Sequence, residues 1–277
     1  MSVEALHTRY VDAPPDLRRI DVRGLCKTFQ LAGAAIEAVR DVSFNVRRGE
    51  FVALLGPSGS GKSTVLNMIA TLVKPTSGEI LIDGTPVVPG QATPNVGYVF
   101  QRDTLFPWRT VADNIGYGLE LAGIPVAERK ERVRACLTQA GLQDFGNAYP
   151  PALSGGMRQR AALMRTLVVE PQVLLMDEPF GALDTHTKID MHDVLLRIWE
   201  REKQTVLFVT HDLGEALTLA DRIILFSARP GRIKETFEVD FARPRNAVKI
   251  RETPRYAELF QLIWHSLGEE FIRGRKP

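Results

Sequence analysis

Three features of the chain predict an α/β fold. An apolar, β-branched run at residues 51–55 passes through Gly56-Pro57-Ser58-Gly59-Ser60-Gly61-Lys62-Ser63-Thr64 into an apolar helical pattern at 65–70. Two runs of strand length, Val173-Leu174-Leu175-Met176 and Thr205-Val206-Leu207-Phe208-Val209, suit strands buried on both faces. Each ends in a polar cluster, Asp177-Glu178-Pro179 and Thr210-His211-Asp212, and stretches of helical period lie between them. A chain of 277 residues is long enough for one large α/β domain, or for one domain with a smaller lobe.

Composition narrows the class. Charged residues at 25% and hydrophobic residues at 44% are ordinary for a globular protein. Lys and Arg number 35 against 33 acids, a net charge of +2, which argues against the basic footprint of a nucleic-acid binder. No apolar run approaches the roughly 18–20 residues of a spanning helix. The first ten residues lack an apolar signal core, so a cytosolic protein is expected. Cys26 and Cys136 stand apart without metal spacing and read as reduced structural thiols.

In chain order, residues 1–16 contain Pro14-Pro15 and no sustained period, and read as a loose lead-in. From Leu17 the pattern alternates through several short strands, at 19–22, 36–39 and 42–46, which suggest an antiparallel sheet ahead of the glycine-rich loop. Phe29 falls here, either packed in the core or free to stack on a nucleotide base. After the loop, Pro75-Thr76-Ser77-Gly78 is a turn, 79–84 a strand, and 96–100 another with Gln101 at its end. A glutamine there is either a solvated edge or, near a metal–phosphate site, a ligand. Residues 102–165 read as a helical insertion, with helices at 114–121 and 127–140; Phe106-Pro107-Trp108 within it packs internally or forms a docking surface.

Leu153-Ser154-Gly155-Gly156 opens a helix in which Met157, Ala161, Met164 and Val168 share a face. Ser154 suits an N-cap, and the two glycines leave the first N–H groups uncovered, a second anion-binding helix start. Ala182-Leu183-Asp184 is a turn before a helix at 188–202, and residues 223–226 and 231–239 suggest a closing hairpin. At 251–277, Tyr256, Leu259, Phe260, Ile263, Trp264, Leu267 and Phe271 fall on one helical stripe that either packs on the body or docks a partner.

The spacing of Gly56 and Gly61-Lys62-Ser63 is that of a phosphate-binding loop. Glycines let successive N–H groups turn inward, and the next helix offers its positive N-terminus. Lys62 reaches the β- and γ-phosphates, and the Ser63 hydroxyl can ligate Mg²⁺. Asp177 and Glu178, at the end of a buried strand, lie where α/β folds bind ligands; Asp177 would hold hydrated Mg²⁺ and Glu178 would polarise an attacking water. His211, at the same edge, can contact a γ-phosphate.

Together these motifs, from about residue 17 to 235, resemble the ATP-binding-cassette ATPases; Leu-Ser-Gly-Gly is the specific part. The resemblance implies a P-loop (RecA-like) nucleotide-binding core with an N-terminal antiparallel β subdomain and an inserted α-helical subdomain, the cassette spanning 17–250 and an amphipathic tail 251–277. It implies that Phe29 stacks on adenine. Gln101 would link Mg²⁺ and the attacking water to the helical lobe. Ser154, Gly155 and Gly156 would bind the ATP held by a second subunit, with Asp184 near the seam of a head-to-tail homodimer. Phe106-Pro107-Trp108, the run from Glu178 to Asp184, and Ala228-Arg229-Pro230-Gly231-Arg232-Ile233 look like the importer subgroup for nitrate, sulfonate and taurine. Pro151-Ala152 and Thr71 depart from common relatives without touching the phosphates. The resemblance further implies a membrane permease, an extracytoplasmic solute-binding protein, no nucleic acid, and a peripheral place on the cytoplasmic face of the inner membrane. The alternative is a soluble mechanical ATPase acting on nucleic acid or ribosomes, but such relatives carry two cassettes or a long coiled coil. A nucleotide-sensing module without hydrolysis would not need Asp177, Glu178 and His211 together.

Overall fold

The computed structural model describes Pro14, residues 17–31 and residues 33–273; most of the lead-in at 1–16 and the last four residues lie outside it. Two sheets organise the chain. The larger has six strands in the order β10-β9-β3-β8-β7-β6. These are β3 (Phe51–Leu55), β6 (Val96–Val99), β7 (Val173–Asp177), β8 (Thr205–Thr210), β9 (Arg222–Phe226) and β10 (Ile233–Glu238). The first five run parallel, and β10 is antiparallel to β9, closing the hairpin expected from sequence.

Alternation along these strands feeds two cores, which is why they read as unbroken apolar runs. Phe51, Ala53, Leu55, Leu174, Met176, Val206 and Phe208 face the core shared with helices α4 (Gly155–Leu167), α5 (Thr185–Glu202) and α6 (Leu213–Leu219). Val52, Leu54, Leu175, Leu207 and Val209 face the other core. That second core is closed by α1 (Lys62–Ile69) and by a four-stranded antiparallel sheet.

The smaller sheet has the order β2-β1-β4-β5, with β1 (Arg18–Leu31), β2 (Ala34–Arg47), β4 (Ser77–Ile82) and β5 (Thr85–Pro86). Here the structure corrects the expectation of several short strands: β1 and β2 are each 14 residues long. The pattern looked broken because the register of β1 on β2 shifts at Leu25 and Lys27, and Asp41 takes a left-handed φ of 51°. Such irregularities interrupt alternation without ending the strand.

Helices α2 (Val111–Leu121) and α3 (Val126–Gln139), with the start of α4, fill the chain between β6 and β7. Two helices begin a turn earlier than their apolar period suggested, because a side chain caps each. Thr110 accepts from the Asp113 N–H in α2, and Asp184 accepts from the His186 and Thr187 N–H groups in α5. The aromatic turn divides: Phe106 packs on Tyr117 with ring centroids 4.9 Å apart, while Trp108 is 72% exposed. The terminal helix, α7 (Pro254–Arg273), lies on α6 and buries Leu259, Ile263 and Leu267, but leaves Trp264 exposed.

One buried polar residue braces the segment after β7. His192 of α5 is fully buried edge-on to Phe180, with ring centroids 4.8 Å apart. Neither ring nitrogen has a hydrogen-bond partner among the described residues. Burial, reinforced by the charges of Arg251 and Lys188 and opposed by Asp212, pushes its pKa down to about 3. The folded imidazole is therefore neutral where the unfolded one takes a proton, so stability is lost as pH falls from about 6.5 towards 3, by at most about 1.4 kcal/mol per pH unit. His192→Leu is expected to flatten the fall in urea-unfolding free energy between pH 6.5 and pH 5. An unchanged slope would mean that other groups carry the acid sensitivity.

Candidate functional site

The loop between β3 and α1 is shaped by close backbone approaches. Gly61 has φ 85°, and a Cβ there would lie 2.7 Å from the Ala38 carbonyl oxygen. A Cβ on Gly231 would lie 1.9 Å from the Ser60 carbonyl oxygen, so the segment after β9 crosses the loop at contact distance. Both positions require glycine for want of space.

Lys62 is 3% exposed. Its ammonium donates to the carbonyl oxygens of Gly56 and Pro57, both at 2.8 Å, and to Ser60 Oγ at 3.1 Å. Burial pushes its pKa down to about 8, against the attraction of Glu178 and Asp177. The Ser63 hydroxyl donates to Asp177 Oδ1 at 2.7 Å, tying the first turn of α1 to the end of β7. Burial moves the Asp177 carboxyl above its usual range, and the Ser63 bond opposes that shift.

Glu178 follows β7 with a left-handed φ of 44°. Its Oε2 accepts from Gln101 Nε2 at 3.2 Å and lies 3.1 Å from His211 Nδ1. Three side chains far apart in sequence thus meet, because β6, β7 and β8 are neighbours and end level.

These groups border a cleft of about 500 Å³. Ser58–Thr64 line it, as do Gln101, Glu178 and His211, and Phe29 lies in its wall with its neighbours Ile36 and Ala38. Phe29 is half-buried rather than a core aromatic, and Lys27 Nζ sits 4.8 Å from its ring centroid.

Ser154, Gly155, Gly156 and Asp184 are not in this cleft. Ser154 and Asp184 are exposed caps of α4 and α5. The residues beside these caps touch: a Cβ on Gly156 would lie 3.2 Å from Leu183 Cδ2. Two contacts join the start of α4 to the Gln101 segment. Arg158 Nε donates to Asp103 Oδ2 at 3.0 Å, and Gln159 Nε2 to the Phe100 carbonyl at 3.4 Å.

Sequence reasoning missed Arg229, which also lines the cleft. In the sequence the 228–233 stretch carries meaning only through its resemblance to the importer subgroup. It missed the Asp103–Arg158 link as well, which no motif signals.

A phosphate loop feeding a parallel sheet, with carboxylates at the strand ends and a separate antiparallel sheet that lends Phe29 to the cleft wall, defines a P-loop ATPase cassette. The profile of the family described as ABC transporter matches residues 39–181. The chain belongs to the ABC transporter family, as one of its ATP-binding ATPase subunits. It is 44% identical to an ABC transporter ATP-binding protein of Methanocaldococcus jannaschii, covering 93% of this chain and 94% of that protein. It is 43% identical to the taurine import ATP-binding protein TauB of Rhizobium johnstonii, over 83% of this chain and 88% of that one. It is 43% identical to the nitrate import ATP-binding protein NrtD of Synechocystis, over 93% and 96%. Among solved structures, a dimeric post-hydrolysis state of the ATP-binding cassette MJ0796 bound to ADP and Pi superposes with a TM-score of 0.73. That structure is 33% identical and covers 80% of this chain and 100% of its own.

With the Lys62 pKa pushed down to about 8, an uncharged Lys62 would have to take up a proton to hold a polyanion above that pH. ATP affinity is expected to fall between pH 8 and 9.5, with net proton uptake on binding. Calorimetry in buffers of different ionisation enthalpy reads both; constant affinity without proton uptake would remove Lys62 as the titrating ligand.

Proposed function

We propose that this chain is the ATP-hydrolysing subunit of an importer for a small anionic solute of the nitrate, sulfonate or taurine kind. In this reading it works as a head-to-tail pair of cassettes. The pair sits on the cytoplasmic face of the membrane, beneath a separate permease fed by an extracytoplasmic solute-binding protein. The observation that carries the reading is the Glu178 carboxylate, flanked by Gln101 and His211 at the edge of the phosphate-loop cleft. The taurine and nitrate import relatives support the importer class. Among the described residues no helix is long and apolar enough to cross a membrane.

The residues fit a role for each. Backbone N–H groups of residues 58–64 and the Lys62 ammonium would bind the phosphates, and Phe29 would stack on the adenine. Ser63, Asp177 and Gln101 offer oxygen donors only, the set a hard cation takes, and Ser63 already meets Asp177 at 2.7 Å. Mg²⁺ bound there would neutralise charge on the β- and γ-phosphates. Glu178 would accept a proton from the attacking water, with His211 and Gln101 fixing the carboxylate.

The exposed caps Ser154 and Asp184, outside their own cleft and joined through the Gly156–Leu183 approach, suit a partner's nucleotide. ATP contacted by both subunits favours the closed pair, and loss of the γ-phosphate removes that preference. Arg158 and Gln159 would carry the change from the Gln101 segment into the helical insertion.

Glu178→Gln keeps the shape and the hydrogen bonds but removes the base. Its steady-state hydrolysis is expected to fall by about 10²–10⁴-fold with ATP binding retained; unchanged turnover would remove Glu178 as the base. The assembly is tested by affinity purification from native membranes in mild detergent. A multi-spanning permease is expected among the co-purifying chains. Recovery with ribosomes or nucleic acid and no permease would overturn the importer reading.

A further inference from the structure

The segment joining β9 to β10, which carries Arg229, is held on three sides. Within the segment, the Ser227 N–H donates to the Arg232 carbonyl at 2.9 Å, and the Ser227 hydroxyl accepts from the Arg232 N–H at 3.1 Å. On the β2 side, the Gly231 N–H donates to the Ala38 carbonyl at 3.0 Å, and the Arg40 N–H to the Gly231 carbonyl at 2.9 Å. On the third side, Glu270 of α7 accepts from the Ala228 N–H at 2.9 Å. Glu270 is 1% exposed and lies 3.3 Å from Lys234 Nζ.

Arg229 stands at the crest of this braced segment. It lines the cleft, and its Nη2 lies 3.5 Å from where a Cβ on Gly59 would be. Two nearby cations are engaged elsewhere: Arg40 with Glu37, and Lys234 with Glu269 and Glu270. Arg229 has no hydrogen-bond or ion-pair partner among the described residues. An exposed arginine has many rotamers, but here the backbone that carries it is fixed and its tip already reaches the rim of the phosphate loop.

We propose that Arg229 is a further ligand of the ATP phosphate chain, and that the C-terminal helix sets its position through Glu270. The proposal rests on the nucleotide site argued above. A planar guanidinium matches phosphate oxygens with paired N–H donors. With its tip beside Gly59, it would add a second cation to the phosphates that Lys62 meets. Glu270 acts on the backbone of Ala228, one residue away, and is a positioning residue. Nucleotide affinity and the docking of α7 are then linked: whatever shifts α7 shifts Arg229, and bound ATP favours the docked helix.

The test is calorimetry of the full chain with ATP and with ADP in Mg²⁺-free buffer, where ATP is not turned over, together with steady-state hydrolysis in Mg²⁺. Arg229→Ala is expected to weaken ATP and ADP binding by about tenfold, and Arg229→Lys by less, since lysine keeps the charge but not the fork. Glu270→Ala is expected to raise the KM for ATP several-fold with kcat unchanged. Glu270→Gln, which keeps an acceptor for the Ala228 N–H, restores KM. A fold defect would instead lower kcat at constant KM. Lys62→Ala separates the two readings: if it abolishes binding while Arg229→Ala changes neither nucleotide, the site stands and the Arg229 proposal falls. If wild-type chain binds neither nucleotide, the site itself falls. A Glu270→Ala defect that Gln does not rescue would overturn the positioning role.

Discussion

The cleft depends on the level, parallel pairing of β3, β8, β7 and β6. Leu55 lies opposite Thr210, Asp177 opposite Val209, and Val99 opposite Met176. Parallel strands in register end together, so residues just beyond them share one edge. The phosphate loop, His211, Glu178 and Gln101 come from four strands and meet for this reason alone. A slip of one residue in any pair would turn a strand's core set to the opposite face and carry its terminal group away from the cleft. The register is protected because both faces of the sheet are buried: each strand supplies side chains to both cores.

Burial moves the charges in the cleft in opposite directions. Lys62 is buried against backbone carbonyls, which satisfy its N–H groups but do not neutralise its charge. Its proton is held less tightly than in water as a result. Asp177 is moved the other way by the same burial and is held by the Ser63 hydroxyl. Both shifts arise chiefly from desolvation, and a polyanion bound with a counter-cation would relieve both. A folded cleft that leaves charged groups dehydrated is one way to store binding energy for a specific ligand.

The helices reach the cleft through caps and clasps rather than broad packing. Asp184 and Ser154 use their side chains to start α5 and α4, so their exposure has a local structural reason as well as the proposed intersubunit one. The Gln101 segment is fastened to α4 by Arg158 and Gln159, and the 227–232 segment to α7 by Glu270. Each clasp is a polar contact over a short loop, the kind of joint that moves as a unit.

The sequence by itself determined the loop chemistry, the buried central strands, the order of the motifs and the family. Each of these is written in residues close together, where glycine spacing, apolar runs and terminal carboxylates carry local meaning. Helix starts at 111 and 185 were less legible, because caps extend a helix beyond its apolar period. The single long strands β1 and β2 were read as fragments because bulges break alternation. What only the tertiary structure decided was proximity: Gln101 against Glu178, Asp103 against Arg158, Gly231 over Ser60, and Glu270 behind Arg229. These partners lie tens of residues apart or more. No local spacing encodes them, since strand order and helix docking are chosen by burial of whole faces rather than by any one residue.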